Sequence, residues 1–434
     1  MTMRLNWFSP LPPERTDIAH YSARLAPALM RHFDVVFWTD LRAAADSLPD
    51  GADVRIFNPR RIEGRTFNSE LFNGLNIYNF GNDARFHAGI FRVARKIPGI
   101  AILHDTRLHH FVFELYRDSK PPWAGYINLA RGLYGESGHA KAKHIIATEG
   151  LSIDAALEDM PFVEAVLDNA IGAICHSKSA STDVRLRSQA PLLTLPLPFA
   201  TLAPPTNIRR AWAPPWRFVM FGYVNSNRRL ESIIRALGDL RRTLDFRLDI
   251  YGTLSNPSHI DSLIVQNGLT RRAVIHGFVS EVKLDEAIAG AHVAFNLRHP
   301  TMGEASGGIL RSWAQATPAL VTNAGWYADL PDDIALKISI ENEVDDILRV
   351  LTHLGERPDD FEKMGHAARA WLERTHTPDQ YARRLSTALS DLPQMMTRYA
   401  ERRILQRVAA HSRSKVERQV LLERAVEMIP TLFN

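Results

Sequence analysis

The chain has 434 residues, 45% hydrophobic and 23% charged, with 52 Lys and Arg against 48 Asp and Glu and a net charge of +4. That length suits two domains of roughly 200 residues each, and so small a basic excess does not by itself argue for nucleic-acid binding. The single cysteine, Cys175, excludes an intrachain disulfide framework and a cysteine zinc site.

Strand and helix patterns then alternate along most of the chain, which predicts α/β layers on parallel sheets. Arg4–Phe8 reads as a short apolar strand, followed by a Pro-rich loop at Ser9–Thr16. Ala19–Phe33 carries Tyr21, Leu25, Ala28, Leu29 and His32 at helical spacing, and Val35–Trp38 is strand-like. Leu75–Asn79, Ile100–Leu103, Ala173–His176 and Leu192–Pro198 complete a first series. Residues 200–216, rich in Pro, read as a linker between domains 1–199 and 217–376. The second series has strands at Phe218–Phe221, Phe246–Tyr251, Ala273–Ile275, Val293–Leu297 and Ala319–Thr322. Its helices include Arg229–Arg241 and Gly308–Gln315. The predicted architecture is two Rossmann-like doubly wound domains facing a cleft, with an added helical tail at 377–434 that partly returns to the first domain.

The tail is rich in arginine, with Arg398, Arg402, Arg403, Arg407, Arg413, Lys415 and Arg418 among apolar steps at Ile404, Val408, Val416 and Val420. A helix packed on a domain with a solvated basic face is the favoured reading. Peripheral membrane contact and self-association are the alternatives. The N-terminus lacks the apolar core of a signal peptide, and no run of about 18 apolar residues occurs. A soluble, cytoplasmic protein is expected, with the membrane's inner face as the alternative address.

Two segments point to chemistry. HPTMGEASGG (299–308) leads from a buried strand into a helix start that holds Ser306, Gly307 and Gly308, with Glu304 just before them. An ordinary helix start needs one polar cap, not two glycines that weaken the helix. Exposed N–H groups at such a start attract an anion, and glycines let a phosphate come close. FGYVNSNRRL (221–230) likewise runs from strand to helix, with Arg228 and Arg229 at the helix start, where cations are electrostatically misplaced unless an anion is near. Two anion-ready units in one domain fit a diphosphate. Neither a P-loop nor a G-x-G-x-x-G is present.

With SPLPPERTDIAHYS (9–22), YNFGND (78–83), ILHDTRLHH (102–110), ICHS (174–177), IHGFVS (275–280), NLRHPTMGEASGG (296–308) and GWYADLPDD (325–333), the chain resembles the retaining GT-B glycosyltransferases of the family-4 type. The resemblance runs up to about residue 390. It implies a donor domain that binds a nucleotide-diphosphate sugar and an acceptor-side N-terminal domain. Arg228, helped by Arg298, would contact the diphosphate, and Ser306, Gly307 and Gly308 would cradle it. Glu304 would hold the donor sugar, His104 would face the reacting sugar, and the Phe278–Val279 backbone would hold the base. Thr16, Asp17 and His20 fall in the acceptor-side loop.

Three departures stand out. Arg311 and Ser312 occupy the place of the family's second glutamate, His20 departs from the usual loop motif, and Thr317 replaces a glycine. No Asp-x-Asp occurs in the sequence, and no cofactor and no metal are expected. The leading expectation is a transferase of polysaccharide biosynthesis acting on a saccharide or lipid-linked acceptor. A sugar-nucleotide epimerase and a catalytically silent scaffold are the alternatives.

Overall fold

The computed structural model describes residues 2–41, 48–59, 73–200, 208 and 210–411. The chain forms two compact units, residues 1–195 with 381–434, and 196–380. Much of the expected linker and the tail from 412 onward, including Arg413, Lys415, Val416 and Arg418, lie outside the described residues.

The first unit is built on a seven-stranded sheet whose pairings are all parallel. Its strands are β1 (Arg4–Phe8), β2 (Asp34–Thr39), β3 (Asp53–Ile56), β4 (Leu75–Phe80), β5 (Gly99–Leu103), β6 (Ala170–Cys175) and β7 (Leu192–Thr194), in the order β3-β2-β1-β4-β5-β6-β7. Every residue of β4, β5 and β6 is buried, as expected of strands covered on both faces by helices. The helix Asp17–His32 is tied to β1 through Trp7 Nε1, which donates to Ser22 Oγ at 3.0 Å, and Ser22 Oγ, which donates to Ser9 Oγ at 2.7 Å. The terminal helix Leu392–His411 packs on this unit. Met395 is buried against Gly172, and Tyr399 OH donates to Asn169 Oδ1 at 2.7 Å. Arg402 reaches the Ala170 carbonyl, and Arg403 lies 3.8 Å from Asp168. These two basic side chains are therefore engaged with the protein. Among the described residues no helix is long and apolar enough to cross a membrane.

The second unit carries a six-stranded parallel sheet. Its strands are β8 (Trp216–Val224), β9 (Phe246–Leu254), β10 (Ala273–Gly277), β11 (Val293–Asn296), β12 (Ala319–Thr322) and β13 (Leu336–Ile338), in the order β10-β9-β8-β11-β12-β13. The order reverses between β8 and β11. That is the topological switch point, where open α/β sheets hold ligands beyond their carboxyl ends. Phe218, Met220, Leu248, Ile250, Val293 and Phe295 are among the sheet residues of one core. Val219, Phe221, Tyr251, Ile288 and Ala294 form a second. The short outer strands β3 and β13 were not among the expected ones.

Candidate functional site

At the switch point of the second unit, β8 ends in a 3-10 turn, Ser226–Arg228, and the helix Leu230–Leu240 follows. Arg228 is 5% exposed. Its Nη2 donates to the Phe221 carbonyl at 3.1 Å and its Nη1 to Asn296 Oδ1 at 3.4 Å. Asn296, the last residue of β11, also donates from Nδ2 to Ser306 Oγ at 3.1 Å. Asn296 thus joins Arg228 to the start of the helix Gly307–Ala314. Ser306 is that helix's N-cap, accepting from Ile309 N at 3.2 Å.

The two glycines differ. A Cβ on Gly307 would meet nothing within 4 Å, whereas one on Gly308 would lie 3.0 Å from Asn296 Nδ2. Gly307 therefore fronts open space at a helix N-terminus, and Gly308 packs closely on the Asn296 side chain.

The loop from β11 adds Arg298 and Glu304. Glu304 Oε2 accepts from Met302 N at 2.7 Å and Thr301 Oγ1 at 2.9 Å, and Oε1 lies 3.1 Å from Arg298 Nε. Arg298 Nη1 donates to Asn227 Oδ1 at 3.4 Å, which links the loops after β8 and β11. Beneath them the buried Tyr327 hydroxyl sits beside Ser306, in the field of Glu304, Arg298 and Arg228; burial is the main cause of its raised pKa. Arg228, Arg298, Glu304, Ser306, Gly307 and Gly308 thus form one cluster in which two guanidiniums outnumber one carboxylate. Asn296, Asn227 and Tyr327 complete it. Sequence reasoning missed all three, although Asn296 ends the strand of one singled-out strand–loop–helix unit and Asn227 lies in the turn of the other.

Arg229 corrects part of the expectation. It needs no outside anion, because its Nε donates to Glu343 at 2.8–2.9 Å while Ser232 Oγ donates to the same carboxylate at 2.7 Å. Glu343 is 114 residues away and buried.

Phe278 and Val279 follow β10. Phe278 is exposed, and Val279 packs against the core that contains Phe221. Arg311 is buried in ion pairs with Asp285 at 2.6 Å and Glu281 at 3.0 Å. Ser312 Oγ donates to the Gly308 carbonyl at 3.1 Å. Thr317 Oγ1 donates to the Ile288 carbonyl at 2.8 Å and accepts from Arg210 Nη2 at 2.6 Å, so this residue links two helix ends. Arg311, Ser312 and Thr317 therefore have local structural roles that leave the cation cluster intact.

In the first unit, His104 follows β5. Its Nε2 meets Asn79 Oδ1 at 3.0 Å, and its ring packs against Tyr21 (centroids 4.6 Å) and His176 (5.0 Å). Burial, then the neighbouring His176 and His87, hold its pKa well below the ordinary histidine value, so it is neutral at neutral pH. Tyr21 OH donates to Tyr381 OH at 3.1 Å. Thr16 and Asp17 begin the helix Asp17–His32, where the Thr16 carbonyl accepts from Ala19 N and His20 N. Nearby Glu14 has its pKa raised to about 7, chiefly by burial and then by Asp40.

No protein-family model matches the chain, and no curated protein is significantly similar to it. Solved structures share its fold. HepE (Alr3699) of Anabaena, solved with UDP and glucose, aligns at 11% identity and TM-score 0.62, over 90% of this chain and 100% of that one. Sucrose-phosphate synthase of Thermosynechococcus elongatus aligns at 12% identity and TM-score 0.62, over 90% and 99%. A candidate UDP-N-acetylglucosamine 2-epimerase of Listeria monocytogenes aligns at 10% identity and TM-score 0.50, over 90% and 96%. The chain has the GT-B fold. That fold serves both transfer and epimerisation, so the reaction must be argued from the site.

Proposed function

We propose that this protein is a retaining, metal-independent glycosyltransferase that moves a sugar from a nucleoside-diphosphate sugar to a saccharide or lipid-linked saccharide. The observation that carries the reading is the cluster at the switch point. Arg228, Arg298 and the open N-terminus at Gly307 converge there, on a fold that in HepE holds UDP and glucose. Uridine is therefore the first base to test.

In this reading the diphosphate lies over Gly307, and the guanidiniums stabilise the charge that develops on it as the sugar leaves. Such preorganised donors are worth about 3–4 kcal/mol each. The bond from C1 of the sugar to the phosphate oxygen breaks, and a bond from C1 to the acceptor oxygen forms on the same face. The acceptor's proton passes to the departing phosphate oxygen, so no strong protein base is needed. Glu304 and His104 orient the sugar, Phe278 and Val279 flank the base, and the loop of Thr16, Asp17 and His20 serves the acceptor.

The epimerase alternative requires a carboxylate free to exchange protons. Acid–base chemistry at a sugar carbon calls for more than one carboxylate, and the cluster carries one, Glu304, whose Oε2 already accepts from Met302 N and Thr301 while Oε1 faces Arg298. A silent scaffold would be expected to have lost the cation cluster, which Arg311 and Ser312 leave in place.

The direct test is thermal unfolding with UDP, other nucleoside diphosphates and their sugars. A ligand at a hundred times its Kd adds about 2.7 kcal/mol, which should raise the midpoint by several degrees. No shift with any nucleoside diphosphate or nucleotide sugar would refute the donor-site reading.

A further inference from the structure

Asn79 has no part in the function as argued so far, yet it is fully buried and every polar atom of its side chain is used. Its Nδ2 faces the Phe8 carbonyl at 3.0 Å. A backbone carbonyl can only accept, so the atom facing it must be the NH2 group. Oδ1 is then the atom 3.0 Å from His104 Nε2. An amide oxygen also only accepts, so the proton must sit on Nε2. The His104 lone pair is left on Nδ1, which has no partner among the described residues.

The surroundings keep the ring neutral and in place. Tyr21 stands edge-on to it from the helix Asp17–His32, and Tyr381 lies behind Tyr21. His176 packs beside the ring and uses its own Nδ1 on the Leu195 carbonyl at 3.0 Å, so it too is held in one tautomer. His87, which contributes to the field at His104, uses Nδ1 on the Asn79 carbonyl at 3.1 Å. The whole group lies at the carboxyl ends of β4, β5 and β6, and His104 is its partly exposed imidazole.

We propose that Asn79 is a positioning residue that locks His104 in the Nε2–H tautomer, so that Nδ1 accepts a hydrogen bond from a hydroxyl of the bound sugar. This rests on the transferase reading. It goes further by giving His104 the part of a neutral acceptor rather than of a cation or a general acid. No covalent change occurs at either residue.

The test has a spectroscopic arm and a kinetic arm. In full-length protein with 15N-labelled histidine, assigned with a His104→Gln control, Nε2 should give the protonated and Nδ1 the lone-pair signal. Asn79→Asp keeps the shape but sets a carboxylate against Nε2, which raises the His104 pKa and protonates Nδ1 as the pH falls. Transfer by this variant should drop about tenfold per pH unit below that new pKa and recover above it. The wild type should show no such limb. Nucleoside-diphosphate affinity, read separately, should stay within about twofold and will show that the second unit is folded.

A proton on Nδ1 in the wild type overturns the inference whatever the activity. So does an Asn79→Asp variant that turns over with the wild-type pH profile. Should no nucleotide sugar turn over, the transferase reading fails and the role at a sugar hydroxyl falls with it, while the tautomer is still read by NMR. If Asn79→Asp does not fold, Asn79→Ser serves as the second variant. It should leave a mixed Nδ1/Nε2 signal and slower transfer; a signal still wholly on Nε2 would overturn the lock.

Discussion

Arg228 and Arg229 are adjacent in sequence and should differ in their effect on diphosphate affinity when each is replaced by methionine. Arg228 is 5% exposed, and the hydrogen bonds described for it go to neutral groups, the Phe221 carbonyl and Asn296. Removing it strands acceptors at a cost of about 1–3 kcal/mol. The unliganded unfolding midpoint should therefore fall by a few degrees. A diphosphate also loses a charge-assisted bond worth about 1.5–3 kcal/mol. Its Kd should rise roughly tenfold to 150-fold.

Arg229 instead holds Glu343, which is 5% exposed and would keep only the Ser232 hydroxyl. Breaking a fully buried pair costs about 3–5 kcal/mol; with about a third of the Arg229 side chain exposed, about 1–3 kcal/mol is expected. Arg229→Met should therefore lower the midpoint and leave diphosphate affinity within about twofold. Calorimetry on both variants, beside thermal unfolding, reads the contrast. Equal losses of affinity, or none in Arg228→Met, would refute the assignment.

Four further outcomes are expected. Glu304→Gln should bind a nucleoside diphosphate as well as or better than the wild type, because a negative charge beside Arg298 is gone, yet lose most turnover; normal turnover would reduce Glu304 to a loop residue. Gly307→Ala has room for its methyl group and should stabilise the unliganded helix by up to about 0.5–1 kcal/mol, while weakening diphosphate binding in calorimetry. Glu14→Gln tests the raised carboxyl. With its folded pKa near 7 and the unfolded value near 4.5, wild-type stability falls as pH rises through that window and stays reduced above it. The variant's gain in midpoint should then be larger at pH 8 than at pH 5. Ending the chain after Leu392 removes Met395 from its seat on Gly172 and should destabilise the first unit by at least about 2 kcal/mol; sedimentation with anionic vesicles that depends on salt would instead favour a membrane role for the tail.

The alternation of strands and helices was legible because it rests on local periodicity. Most expected strands recur within a few residues of their limits, such as Ala319–Thr322 and the strand at Arg4–Phe8. The edge strands Asp53–Ile56 and Leu336–Ile338 are four and three residues long and only partly buried, so no apolar run announced them. The glycine pair at 307–308 was readable because two glycines at a helix start contradict helix propensity. Nothing local distinguished Gly307, which fronts open space, from Gly308, which packs on Asn296. Nor could a sequence window reveal that Arg229 has its anion in Glu343, or that Asn296 ties Arg228 to Ser306, because those partners meet only after the sheet forms.

The central claim is sugar transfer, and one incubation tests it most directly. The purified protein is mixed with UDP-sugars, then other nucleotide sugars, with and without saccharide and lipid-linked acceptors. Free nucleoside diphosphate and the product's anomeric configuration are followed by NMR. The account predicts nucleoside diphosphate release that depends on an acceptor, with the donor's anomeric configuration kept in the product. A nucleotide sugar returned with an inverted ring carbon, or binding without any release of diphosphate, would contradict it.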